Sequence, residues 1–367
     1  MVESPGSQAR TGQGAITLQS RGTSIKSCAV WSWCVVVVAL LLGSACGSSG
    51  GLWFRPSPTA TATCTPMPTR THTRTATPTP TATLIPTATA TSTQTATRTL
   101  EPLRLSVSLH PPEVVEGHTL WIQIQSNRTI SVTGTLDGQS LFFATRPGGA
   151  WGLAGLPVAA EPGAHLIGAS VEDGLGASVS VSIPVTVKPV EFGSEHIDIP
   201  AERQGLLDPG VQVAESEELH LVFARLTPEK LWEGLFVWPH AGEISSPFGL
   251  SRAYNGIHAS YHGGVDITGN PGAPVIAANS GQVALAAPLL VRGNAVILDH
   301  GCGVLSAYYH LSEFLVQEGQ WVTKGELIGR VGDTGLSTGA HLHWEMRVGD
   351  ILVDPVEWTT TRIPEWQ

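Results

Sequence analysis

"TGLSTGAHLHWEMRVGD", residues 334–350, sets two histidines one residue apart in a strand-like run, with glycines just upstream. Side chains alternate along a strand, so His341 and His343 point to one face and Leu342 to the other. Two imidazoles on one face can serve a single metal ion or substrate, or can simply line a hydrophilic surface. The rest of the chain has to discriminate between these readings.

Seven of the 13 histidines lie beyond residue 239, so a histidine-dependent site belongs in the last third. There, "YHGGVDIT" (261–268) places His262 and Asp266 four apart. Its two glycines and β-branched neighbours disfavour a helix, and on a strand that spacing again selects one face. "SAYYHLSEF" (306–314) adds His310 at the end of an apolar strand. Zinc accepts imidazole nitrogen and carboxylate oxygen, and a catalytic zinc has three protein ligands and an open position. One aspartate and two histidines from separate strands meet that need, leaving two histidines for proton transfer or charge stabilisation.

From about Trp238 to Trp358 these motifs recur in a set: "ISSPFG", "YHGGVDI", "PGAPVIAANSGQV", "GNAVILDHG", the run "YYHLSEFLVQEGQWVTKGELIGRVGDTGLSTGAHLHWEMRVGD", and "VDPVEW". In this order they resemble the lysostaphin-type (LytM-like) zinc metalloendopeptidases, which cut peptidoglycan peptides. The resemblance implies an all-β catalytic domain, a two-sheet groove, with one zinc ion held by His262, Asp266 and His343. It implies His310 and His341 as the catalytic pair beside the attacking water, without saying which takes the proton. Tyr254 and Tyr261 are candidate donors to an oxyanion, and Glu345 shares the strand face of His341 and His343 as a candidate partner behind the metal. His300 reads as structural, His240 and His258 as surface residues flanking the groove, and Cys302 receives no role. Degenerate relatives of such enzymes lose ligand residues, whereas all five positions are present here. The competing reading is a catalytically inactive protein that binds peptidoglycan or activates another hydrolase. A third, a biotinyl-type carrier suggested by "VQEGQWVTKGELIGRVG" (316–332), needs a lysine at an exposed tip, and Lys324 lies inside a turn.

The 367 residues divide further. Residues 1–50 read as an export signal or membrane anchor: Arg21 and Lys26 precede the apolar run "AVWSWCVVVVALLL" (29–42) and the small residues "GSACGSSG". "LLGSAC" resembles a bacterial lipoprotein signal ending at Cys46, although Leu42 stands one place early and Gly43 occupies its position. Lipoprotein, uncleaved anchor and secreted protein all place the remainder outside the cytoplasm, with the first two tethering it to the membrane. Residues 51–101 hold a Thr/Pro-rich tract too poor in apolar residues to bury a core, an expected disordered stalk with a reach on the order of 100 Å. Residues 102–190 alternate in runs such as "LRLSVSLH" (Leu103, Leu105, Val107 and Leu109 on one face), with an Asp137-Gly138 hairpin turn. They read as an immunoglobulin-like β-sandwich, in which His110, His118 and His165 read as surface residues. Residues 191–235 read as a short helical connector, from the spacing of Leu219, Val222, Phe223 and Leu226 and an N-cap signal at Thr227-Pro228. Residues 236–367 form the catalytic domain. The net charge of −10 argues against nucleic acid as a partner, and the spacing of the five cysteines builds neither a disulfide framework nor a C-x-x-C site. The expected partners are peptidoglycan stem or bridge peptides and, through the N-terminal segment, the membrane.

Overall fold

The structure, a computed structural model, describes residues 16–19, 101–225 and 227–362. The apolar run, Cys46 and the Thr/Pro tract lie outside the described residues. Among the described residues no helix is long and apolar enough to cross a membrane.

The protein is mostly β. Alternation in the first module becomes burial: Leu103, Leu105 and Val107 are buried, and Leu109 packs against the same core. Asp137 and Gly138 both take positive φ, 50° and 86°, which matches the twist of the hairpin Ser131–Leu136 and Gln139–Arg146. The Gln139–Arg146 strand pairs through residues 139–141 with Ser131–Leu136 and through 142–146 with Gly149–Gly155, joining two halves of one sheet. The sheet path runs from Ile16–Gln19, paired antiparallel with Arg104–His110, through to Glu113–Val115, the strand that follows Arg104–His110 in sequence. Residues along that path, among them Leu105, Ile122, Ile167 and Ile183, share one core. The result is a barrel-like sheet.

The connector holds more than a helix. Ser194–Ile197 is a strand that pairs parallel with Ser251–Tyr254. A three-ten helix, Ala201–Leu207, follows, then the α-helix Pro209–Phe223, which starts where the Asp208 carboxylate accepts from the amides of Gly210 and Val211. That helix buries Leu219, Val222 and Phe223. The helix start expected at Thr227-Pro228 does not occur. The Cys302 amide donates to the Thr227 carbonyl (2.6 Å) and the Leu231 amide to the His300 carbonyl (2.8 Å), an irregular path that delivers Trp232 and Phe236 into the core.

In the C-terminal domain an eight-stranded sheet places the His341–Val348 strand between Val265–Thr268 and Val304–Leu311. Its outer members are Ile244–Ser246 on one side and Asn294–Asp299, Gly281–Pro288 and Trp321–Val322 on the other, with Ile351–Val353 paired off the central strand. Two three-stranded sheets complete it, one from Pro274–Ile276, Leu327–Arg330 and Glu313–Phe314, the other from Ser194–Ile197, Ser251–Tyr254 and Ile257–Tyr261.

The barrel-like module packs on this domain through aromatic rings. Trp121 stacks on Trp151 at 4.7 Å, Trp151 meets Trp232 edge-on at 6.4 Å, and Trp358 meets both Trp232 and Phe236. Each such pair adds about 0.5–1.5 kcal/mol beyond the area it buries. Polar contacts frame the joint: the Glu357 carboxylate accepts from the Thr119 amide (2.9 Å) and lies 3.4 Å from His118. His118, read from sequence as a surface residue, is therefore part of this interface, and the Glu357 carboxylate offsets its partial burial and raises its pKa.

Candidate functional site

Strand register builds the site. In the antiparallel pair formed by Val265–Thr268 and His341–Val348, Asp266 lies opposite His343 and Thr268 opposite His341. On the other side of the central strand, Tyr309 lies opposite His343, and their rings stack at 5.8 Å. In a regular strand His310 would point away from the face Tyr309 occupies. Its φ of +59° breaks that alternation, and its ring lies 4.9 Å from that of His341 and 6.0 Å from that of His343. A histidine held in the left-handed region is a strained conformation kept by its surroundings.

His262 arrives by a route the spacing alone did not reveal. It is not on the strand of Asp266; it follows Ile257–Tyr261, and Gly263 and Gly264 turn the chain into Val265–Thr268. A Cβ on Gly264 would stand 2.3 Å from the Trp344 carbonyl oxygen and 3.0 Å from the His343 ring. Only glycine lets the backbone pass that close to the central strand.

His262, Asp266 and His343 are buried, and one ligand atom from each lies within 4.8 Å of the others. His262 Nε2 is 3.1 Å from both Asp266 Oδ1 and His343 Nδ1, and His343 Nδ1 is 2.7 Å from Asp266 Oδ1. The opposite ring nitrogens are committed. His262 Nδ1 donates to the Pro247 carbonyl (2.8 Å), and His343 Nε2 faces the Glu345 carboxylate at 3.3 Å. With both rings neutral, two nitrogen lone pairs and a carboxylate oxygen converge with no donor among them. Such a cluster favours a positive charge, whether a proton on His343 or a cation among the three atoms, and a nitrogen–oxygen–nitrogen set of this kind suits a divalent metal ion. The titration behaviour expresses the same demand. Burial pushes His262 down, whereas His343 is also penalised by burial but is raised by its bonds to Asp266 and Glu345. Burial would raise Asp266 too, yet the two histidines hold it well below the usual carboxylate range. Glu345, buried but opposed by Arg347 and His343, falls to about 2.

His310 and His341 stand beside this cluster with their own ring nitrogens fixed. His310 Nδ1 donates to the Thr334 carbonyl and His341 Nδ1 to the Gly339 carbonyl, each at 2.8 Å. Burial, reinforced by the neighbouring rings of His341 and His343, brings His310 down to about 3, and burial also lowers His341. Both rings are therefore neutral near neutral pH and present Nε2 lone pairs, that of His341 3.6 Å from Asp266 Oδ1. The structure thus brings all five sequence-predicted residues together.

The remaining candidates fall elsewhere. Tyr254 lies half-buried on the strand of Arg252, and Tyr261 is exposed beside His262. His300 is buried between the Ser280 carbonyl and the Ser306 hydroxyl, both at 2.7 Å, and burial lowers it to about 4. His240, expected at the surface, is buried with Nδ1 on the Pro274 carbonyl (2.9 Å). The side chain of His258 lies outside the described residues. Sequence reasoning missed Arg252, which donates to Asp266 Oδ2 at 2.6 Å, and behind it Glu195. No local spacing signals them, because Glu195 is 57 residues from Arg252 in the chain.

Comparison with known proteins matches the segment that carries this site to a family. Residues 260–355 match Peptidase family M23, and the chain carries an M23 (LytM-like) domain there. The DD-carboxypeptidase/endopeptidase Mpg of Neisseria meningitidis is 44% identical over 114 residues, 31% of this chain and 26% of that protein. The murein hydrolase activator NlpD of Escherichia coli is 35% identical over 137 residues, 37% of this chain and 33% of that protein. The chain thus spans between a quarter and a third of the length of these two curated relatives. A crystal structure assigned to peptidase M23 from Pseudomonas aeruginosa superposes with a TM-score of 0.51 at 25% identity, covering 68% of this chain and 96% of that one. That coverage extends well beyond residues 260–355, so the shared fold includes more than the family-matched segment.

Proposed function

We propose that this protein is an extracytoplasmic zinc metalloendopeptidase that hydrolyses peptide crosslinks of bacterial peptidoglycan. The observation that carries the proposal is the convergence of three buried acceptor atoms, from His262, Asp266 and His343, next to two neutral histidines whose Nε2 lone pairs are free to take a proton. His262, Asp266 and His343 would hold one zinc ion, which when bound would supply Lewis acidity toward water and the scissile carbonyl. The chain's own residues do the rest. Asp266 and Glu345 supply the negative charge that suits the centre to a cation, and Glu345 fixes the ring of His343. One of His310 and His341, whose Nδ1 hydrogens are both tied to carbonyls, accepts the proton of the attacking water at Nε2, and the other stands beside it. The imidazolium so formed donates to the developing oxyanion and returns the proton to the leaving amine. The named relatives, which include an endopeptidase and a murein hydrolase activator, supply the substrate class.

A second reading, an activator without its own hydrolysis, is favoured only by the similarity to NlpD. The complete set of five residues favours the enzyme. Within this proposal, residues 1–50 direct export and tether the protein at the membrane or cell surface, through lipidation of Cys46 or as an anchor, and 51–101 hold the domains away from it. Residues 102–190, the barrel-like module, space or bind the wall. The domain limits 191–235 and 236–367 belong to the same reading. Elemental analysis of the purified chain tests the metal: about one zinc per chain is expected, and full zinc in a His262→Ala, His343→Ala double variant would remove the assignment.

A further inference from the structure

Behind the ligands stands a half-buried carboxylate with no role in the chemistry above. Glu195 lies on the Ser194–Ile197 strand, outside the family-matched residues, and its register partner on the parallel strand Ser251–Tyr254 is Arg252. Its carboxylate serves two donors. It accepts from Arg252 Nε, and Arg252 Nη2 donates onward to Asp266 Oδ2 at 2.6 Å. The Ser246 hydroxyl, 2.9 Å from both carboxylate oxygens, donates to the same group, and the Ser246 oxygen lies 3.2 Å from His262 Nδ1 and accepts from Arg252 Nη2 at 2.9 Å. Ser246 is in turn the register partner of Asp266. A single carboxylate from the connector thus stands behind two of the three ligand residues.

The charges explain why a carboxylate is needed there. Arg252 and Asp266 each keep only 11% of their side-chain surface exposed, so little water screens the pair. Alone, the guanidinium would compete with a cation for the charge of Asp266. With Glu195 against it, the Arg252–Glu195 pair is neutral overall, and Arg252 anchors Asp266 Oδ2 while Oδ1 stays turned to His262 and His343. We infer that Glu195 is a positioning residue that sets the metal affinity of the centre by neutralising Arg252 and orienting Asp266 and His262. The inference rests on the zinc reading above. Partners at this remove from a metal typically change affinity by about 10- to 100-fold.

The test uses the full chain, stripped of metal and titrated with zinc against a competing chelator, with melting curves of the metal-free and metal-loaded forms. Glu195→Gln should weaken zinc binding by about 10- to 100-fold. Its metal-free melting temperature should stay close to that of the wild type, while the increase on adding zinc shrinks. Glu195→Asp, which keeps the charge but shortens the reach, should fall between the two and serves if the amide variant does not fold. Arg252→Gln and the double variant complete a cycle. Because both residues act through Asp266, their effects should combine less than additively. Equal zinc affinity in wild type and Glu195→Gln overturns the inference and leaves the zinc reading intact. Equal melting losses with and without zinc, or additive effects, overturn it as well, because they describe a merely structural pair. A wild-type chain that takes up no zinc overturns both.

Discussion

Replacing His310 by alanine separates holding the metal from doing the chemistry. The ring touches no ligand atom: its Nδ1 is spent on the Thr334 carbonyl, and its centroid lies 6.0 Å from that of His343. Alanine keeps the Cβ that already sits at φ +59°, so the substitution adds no backbone strain. Metal content should therefore stay at the wild-type level. Catalysis should not, because a positioned general base contributes about 10²- to 10⁴-fold. That range corresponds to about 2.7–5.5 kcal/mol of lost transition-state stabilisation. Since burial with the adjacent histidines holds His310 near a pKa of about 3, it is unprotonated across the neutral range, and the fold-loss should be the same at about pH 6 and about pH 8. His341→Ala should behave in the same way. The assay is turnover on crosslinked peptidoglycan, with zinc measured on the same preparations. If both variants keep near wild-type rates at full zinc occupancy, the assignment of these two histidines is refuted and the binding or activating reading moves forward.

Asp266→Ala should lose zinc and activity together, because it removes a ligand carboxylate from the centre; parallel zinc and rate measurements against His310→Ala check this. Acid should destabilise the fold through His300, whose pKa falls from 6.5 unfolded to about 4 folded. A lowered folded pKa means that its contribution is fully present above about 6.5 and is lost as pH falls toward 4, because only the unfolded ring then takes up a proton. By pH 5 the loss amounts to about 2 kcal/mol, and His300→Gln should abolish that part of the pH slope in denaturant titrations. Trp151→Ala, which removes the ring stacked on Trp121 and edged against Trp232, should cost about 3–5 kcal/mol of unfolding free energy, read from the denaturant midpoint.

What the sequence made legible was local periodicity and local turn chemistry. The H-x-H pair announced one strand face, and Leu103, Leu105 and Val107 announced another. Asp137-Gly138 signalled the paired positive φ values that a tight two-residue hairpin turn uses. What stayed hidden depends on contacts distant in sequence. The path of His262 and Asp266 is set by how closely Gly264 approaches Trp344, which no spacing rule encodes. The cap signal at Thr227-Pro228 is overridden because Trp232 and Phe236 must reach the aromatic core, while the equivalent signal at Asp208-Pro209 opens the helix that forms. Lone polar residues were also misplaced. His240 reads as a surface residue until the Pro274 carbonyl is seen accepting from its Nδ1, and Glu195 looks like one acidic residue among many in a connector.

The central claim, hydrolysis of wall peptide crosslinks at this centre, is tested most directly by mass spectrometry of muropeptides. Purified crosslinked peptidoglycan is incubated with the zinc-loaded full chain, then reduced to muropeptides and compared with an untreated sample. The account predicts that crosslinked dimers disappear, that monomers appear carrying one added water at the severed peptide bond, and that Asp266→Ala leaves the dimers untouched. Dimers that persist in the presence of fully zinc-loaded wild-type protein would contradict it.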